Sequence, residues 1–62
     1  MKIADEFKKA SDNFSVIRCT NGFMFEIGGR THDDEWKTLK FVCGNEAELF
    51  DYIKQTNALP ID

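Results

Sequence analysis

Two runs rich in β-branched and aromatic residues, 14–20 and 23–27, meet at Asn21-Gly22. That dipeptide is a strong local signal for the tight turn of a β-hairpin. A third run, Trp36 to Cys43, alternates, with Leu39, Phe41 and Cys43 on one side and Trp36, Thr38, Lys40 and Val42 on the other. Three successive strands with short connections predict an antiparallel meander. Between the second and third runs, Gly28-Gly29-Arg30-Thr31-His32-Asp33-Asp34-Glu35 reads as a polar loop or extended hairpin tip.

The flanks carry a helical period. Ile3, Phe7 and Ala10 fall at i, i+4 and i+7, with Asp5 four residues before Lys9, which predicts a short amphipathic helix over residues 2–11. Ser11, Asp12 and Asn13 would stop it. After the third run, Gly44-Asn45 opens a second helix: Asn45 can cap it, Glu48 completes a capping box, and Leu49, Phe50 and Ile53 form its apolar stripe. Asn57 fits a left-handed cap, and Pro60 prevents continuation. The expected fold is α+β, in the order helix, three strands, helix (αβββα), as one domain over residues 1–62.

The hairpin register decides which side of the first strand meets the core. A two-residue turn pairs Thr20 with Phe23 and Arg18 with Phe25, setting Arg18 among core residues. A three-residue turn with Gly22 as a bulge pairs Cys19 with Phe23 and leaves Arg18 outside, near Met24 and Glu26. Burying an unpaired guanidinium costs several kcal/mol, so the bulged turn is expected.

Either register leaves apolar residues on both faces. Phe23, Phe25, Ile27, Leu39 and Phe41 mark the core face. The opposite face still carries Met24, Trp36 and Val42, joined by Phe14 and Val16 or by Ile17 and Cys19 according to register. A solvent-facing sheet surface normally alternates to polar residues. With both helices expected on one face, this outer face is a candidate protein interface, with Met24, Trp36 and Val42 as its apolar part and Arg18 and Lys40 as polar edge contacts.

The formal net charge of −3 is uneven: residues 1–31 carry five basic and four acidic side chains, and residues 32–62 three basic and seven acidic. Scattered bases and clustered acids disfavour nucleic acid as a partner. Asp33, Asp34, Glu35, Glu46, Glu48 and Asp51 offer an alternative, a negative surface that attracts a basic, nucleic-acid-binding protein by imitating phosphates. No apolar run approaches the ~18 residues of a membrane span. The charged residues after Met1 leave no signal-peptide stretch either, so a soluble, cytoplasmic protein is expected. Cys19 and Cys43 lack metal-site spacing and read as buried, reduced thiols.

Catalytic residue types are sparse. His32-Asp33-Asp34-Glu35 reads as a solvated turn, because consecutive loop residues diverge and nothing completes a metal shell. Gly28-Gly29-Arg30 lacks the helix and the Gly-Lys-Ser/Thr of a phosphate loop, so its glycines are expected to serve a bulge or bend, with Arg30 a possible interface anchor. Nucleophilic catalysis would need a thiol near His32, and both thiols fall in apolar strands. No catalytic, cofactor or metal residues are assigned, and no enzyme activity is expected.

The helix–three strands–helix order resembles the double-stranded-RNA-binding domain, and Phe23 and Phe25 alternate as stacking platforms do in RNA-binding sheets. The resemblance implies a nucleic-acid-binding module as a further alternative. That family's basic start to the final helix falls here on Asn-Glu-Ala-Glu-Leu, Asn45 to Leu49, so no binding residues are carried over. The expectation is a small regulator, inhibitor or adaptor of the kind that phages and other mobile elements encode. It would act through a protein partner of unidentified type, or as a homodimer across the outer face.

Overall fold

The computed structural model describes residues 2–62. Strands β1 (Phe7–Cys19), β2 (Gly22–Thr31) and β3 (Trp36–Cys43) form one antiparallel sheet in the order β1-β2-β3, followed by helix α1 (Glu46–Asn57). The meander and the C-terminal helix follow the sequence expectation.

The N-terminal helix does not form, so the αβββα order is corrected to a three-stranded sheet with one helix. Residues Ile3–Asp5 make a single 3-10 turn, and Phe7 already belongs to β1. The helical spacing has another origin. Register shifts in the β1–β2 ladder lie between Phe7 and Lys9 and between Ala10 and Phe14. Each extra residue resets the two-residue alternation, so Phe7 and Ala10, three apart, are both buried. A 3-10 turn carrying Ile3 and a bulged strand carrying Phe7 and Ala10 thus together imitate the i, i+4, i+7 pattern. Loss of this helix removes the topological likeness to the double-stranded-RNA-binding domain.

The hairpin register matches neither expected turn. Cys19 pairs with Gly22, Arg18 with Phe23, Val16 with Phe25 and Phe14 with Ile27, so Thr20-Asn21 form the turn. Gly22 lies at φ 140°, and a side chain there would run into the Cys43 carbonyl. Arg18 therefore shares a face with Phe23 rather than with Met24 and Glu26. Desolvation would penalise Arg18 only where this face is covered. In fact α1 packs on β2 and β3, and Arg18, at the uncovered corner, stays exposed. Cys19 is exposed too, a second correction, whereas Cys43 is buried. With β2 between their strands, no disulfide joins them.

Gly28 to Thr31 continue β2 instead of forming a loop, leaving only residues 32–35 as the connection. Gly29 is buried beneath Phe7. Ile3, Phe7, Ala10, Phe25, Ile27, Cys43 and Leu49 form the core, with Phe23, Leu39, Phe41, Tyr52, Ile53 and Leu59 packed against it. Tyr52 stacks on Phe41 with ring centroids 4.4 Å apart, which seats the helix over the β3 side.

Helix α1 begins as its caps dictate. The Glu48 N–H donates to Asn45 Oδ1 at 2.9 Å, and Glu48 Oε2 accepts from the Gly44 N–H at 3.0 Å. It ends differently: Asn57 is the last helical residue, and the C-cap is Ala58 in right-handed geometry, its N–H donating to Lys54 and Gln55 carbonyls. The tail then returns to β1. The Ala10 N–H donates to the Pro60 carbonyl and the Asp62 N–H to the Ala10 carbonyl, both at 2.9 Å, so Ile61 makes a parallel bridge with Ala10.

Candidate interaction surface

Strand pairing arranges the outer face in rows. Ile17, Met24 and Val42 lie side by side at one end, and Arg30 and Trp36 are partners at the other. Val42 is 79% exposed and Trp36 52%. Between them, Glu26 pairs with Lys40, whose Nζ lies 3.6 Å from the carboxylate. The greasy outer face foreseen from the sequence is therefore two apolar ends separated by an ion pair. Of the five residues expected there, Met24, Trp36, Val42 and Lys40 share this face, and Arg18 lies on the other.

Trp36 is held in place by its neighbours. A Cβ on Gly28 would come 2.8 Å from Cζ2 of the indole, so the missing side chain is what lets the ring lie close against the sheet. The Arg30 guanidinium carbon stands 5.7 Å from the ring centroid. Arg30 is itself held, with Nη1 donating to the Asp34 carbonyl and Nη2 to the Asp62 carboxylate, each at 3.3 Å. An indole fixed between a glycine and an ordered arginine loses little side-chain freedom on binding. The sequence reading missed Gly28 and left Arg30 as a bare possibility. A glycine diagonal to a tryptophan across two strands was the available signal, but it needs the register to be seen.

The acidic residues do not converge. Asp33, Asp34 and Glu35 sit in the β2–β3 connection, and Glu46 and Glu48 begin α1 beyond the far end of β3. Several are engaged locally: Lys8 pairs with Asp34 and holds its carboxyl below the usual aspartate range. Glu48 takes part in the helix cap, and Asp51 accepts from Gln55 at 2.8 Å.

His32 Nε2 lies 3.0 Å from the Ala4 carbonyl, tying the 3-10 turn to the loop. It sits at the opposite end of the sheet from Cys19 and Cys43, so no thiol–imidazole pair is assembled. Burial, with the Glu48 charge second, pushes the Cys43 thiol up. Among the described residues no group of His, Cys, Asp and Glu is placed to hold a metal ion, and no helix is long and apolar enough to cross a membrane.

A second uncovered area was not foreseen. Phe14 and Val16 share the core face with Phe25 and Ile27, yet they remain 39% and 43% exposed because α1 packs mainly on β2, β3 and the 3-10 turn. A cleft of ≈ 180 Å³ lined by Asp12, Phe14, Thr56, Asn57 and Ile61 lies on this side. Phe50, 53% exposed, stands two helical turns before Asn57 and so on the same flank.

Comparison of the chain with protein-family models, with curated proteins and with solved structures finds no match in any of the three.

Proposed function

We propose that this chain is a small binding protein of the cytoplasm, without catalytic chemistry of its own, that regulates or adapts a protein partner docked on its outer sheet face. One observation carries the reading: Trp36 stands half exposed, packed against Gly28 with the Arg30 guanidinium beside it, on a face that α1 does not cover. Tryptophan and arginine are the residue types that most often dominate binding energy when pre-positioned together. Met24 and Val42 supply a second apolar contact, and the Glu26–Lys40 pair between them sets orientation more than affinity.

Trp36 is the only tryptophan in the chain, which makes the test direct. Partners captured from the native host are compared between wild type, Trp36→Ala and the helix-surface control Lys54→Ala. A partner lost with Trp36→Ala and kept with Lys54→Ala, and whose titration moves the Trp36 emission to shorter wavelength, supports the reading. Equal capture by all three proteins, with unchanged emission, removes it.

A further inference from the structure

We propose that two copies of this chain pair antiparallel along the free edge of β1, about a twofold axis at Ser15, to form a continuous six-stranded sheet. The surface is distinct from the outer face proposed above.

The edge itself is available. β1 is thirteen residues long and lies at the border of the sheet. The chain's own tail occupies that border only at Ala10, through Ile61. From Asp12 to Cys19 no other described segment pairs with it. At about 3.4 Å per residue the regularly paired part, Phe14 to Cys19, leaves roughly 20 Å of open strand edge beyond the bulge, a feature that monomeric proteins usually guard with lysine, proline, bulges or cover. β3, the opposite border, does carry Lys37 and Lys40. Residues 12–19 contain neither lysine nor proline.

The side chains along this edge are self-complementary. Asp12, Phe14, Val16 and Arg18 alternate in the order acid, aromatic, β-branched, base. Phe14, Val16 and Arg18 are placed on the core face by their pairing with Ile27, Phe25 and Phe23. Asp12 lies in the unpaired stretch before Phe14, where the ladder shifts, and lines the cleft beside Phe14. Reversing the strand about Ser15 sets Asp12 against Arg18 of the second copy and Phe14 against Val16. Aromatic with β-branched and acid with base are both favourable cross-strand pairs. A twofold at Val16 would instead set Phe14 against Arg18, and one at Phe14 would send Arg18 to Ala10, whose edge Ile61 already holds. The ion pairs thus select the register, and the apolar pairs supply the attraction.

The second copy also narrows the space above what the first leaves bare. With α1 seated over β2 and β3, the two helices of the paired sheet would stand about four strand spacings, or roughly 19 Å, apart. A helix with side chains is about 10 Å across, so the gap between them is about 9 Å, too narrow for another helix. Phe14, Val16 and Phe50 of both copies face into that gap. Each is an exposed apolar residue for which the isolated chain offers no lid.

The test is sedimentation velocity of the intact chain across a wide concentration range. Wild type should move from one chain to two as concentration rises. Val16→Lys, at an exposed site that need not disturb the fold, should remain a single chain, with circular dichroism verifying its structure. Asp12→Arg and Arg18→Asp should each weaken the dimer several-fold, and the double swap in one chain should restore it. Trp36→Ala should leave dimerisation unchanged, which separates this proposal from the outer-face reading. A wild type that stays monomeric throughout overturns the proposal. So does a dimer indifferent to Val16→Lys, or single charge reversals that the double swap fails to rescue.

Discussion

Phe7 stands directly over Gly29, so close that a Cβ on the glycine would fall 2.5 Å from Cδ2 of the ring and 2.7 Å from the Lys9 carbonyl oxygen. Phe7 is fully buried, and its neighbour in this contact is backbone, which cannot swing aside. Gly29→Ala should therefore destabilise the domain, toward the upper end of the about 1–3 kcal/mol typical of overpacking. Urea denaturation measures it. A loss below about 0.5 kcal/mol, the level of an ordinary surface change, would mean that Phe7 is not seated there.

Gly28→Ala next door should behave differently. Its Cβ would meet only the indole of Trp36, an exposed side chain that can lift away. The stability cost should stay under about 1 kcal/mol, since no core contact is lost. The Trp36 emission should shift to longer wavelength as the ring leaves the sheet. Unchanged emission would contradict the packing described for this face.

The two thiols should separate kinetically. Burial and the Glu48 charge push Cys43 up, which lowers its thiolate fraction at neutral pH, and its side chain is enclosed. Cys19 is open to solvent. One thiol per chain should react promptly with a thiol reagent and the second only on unfolding, and Cys19→Ser should abolish the prompt phase. Two equal rates would show that the core around Cys43 opens freely.

Asp34 sets a pH dependence of known sign. The Lys8 hydrogen bond and charge lower its carboxyl in the folded protein. A depressed folded pKa contributes stability above the unfolded aspartate value, and that contribution fades as pH falls through the folded one. The stability difference between wild type and Lys8→Met should accordingly be present at neutral pH and vanish in strong acid. It should be small and salt-sensitive because the pair is exposed. A difference that grows toward acid would contradict the pairing.

Much of the architecture was legible locally. Residues 23–27 of β2 and all of β3 announce themselves by alternation and composition, and the start of α1 by the Asn45–Glu48 cap, because these signals act between residues a few positions apart; Gly28 to Thr31, rich in glycine and polar residues, carry no such signal. β1 is hidden for a physical reason: the single residue inserted near Lys8 puts Phe7 and Ala10 three apart on one face, and with Ile3 in the preceding 3-10 turn that spacing mimics a helix. The face of Arg18 is not legible in the sequence because the cost of burying it depends on how far α1 extends across the sheet, which no local spacing gives. Trp36, Met24, Val42 and Lys40 share the face expected of them, but the Glu26–Lys40 pair divides that face.

Chain-local chemistry alone determined that this protein would be a three-stranded meander with a capped C-terminal helix and more apolar sheet surface than it has helix to hide. Tertiary structure decided the rest: the phase of β1, the Thr20-Asn21 turn, and the bare flank at Phe14, Val16 and Phe50. Those depend on which backbone opposes which and on where the helix comes to lie. A side chain's partner across a sheet is chosen by the whole packed arrangement, and no spacing along a single strand encodes it.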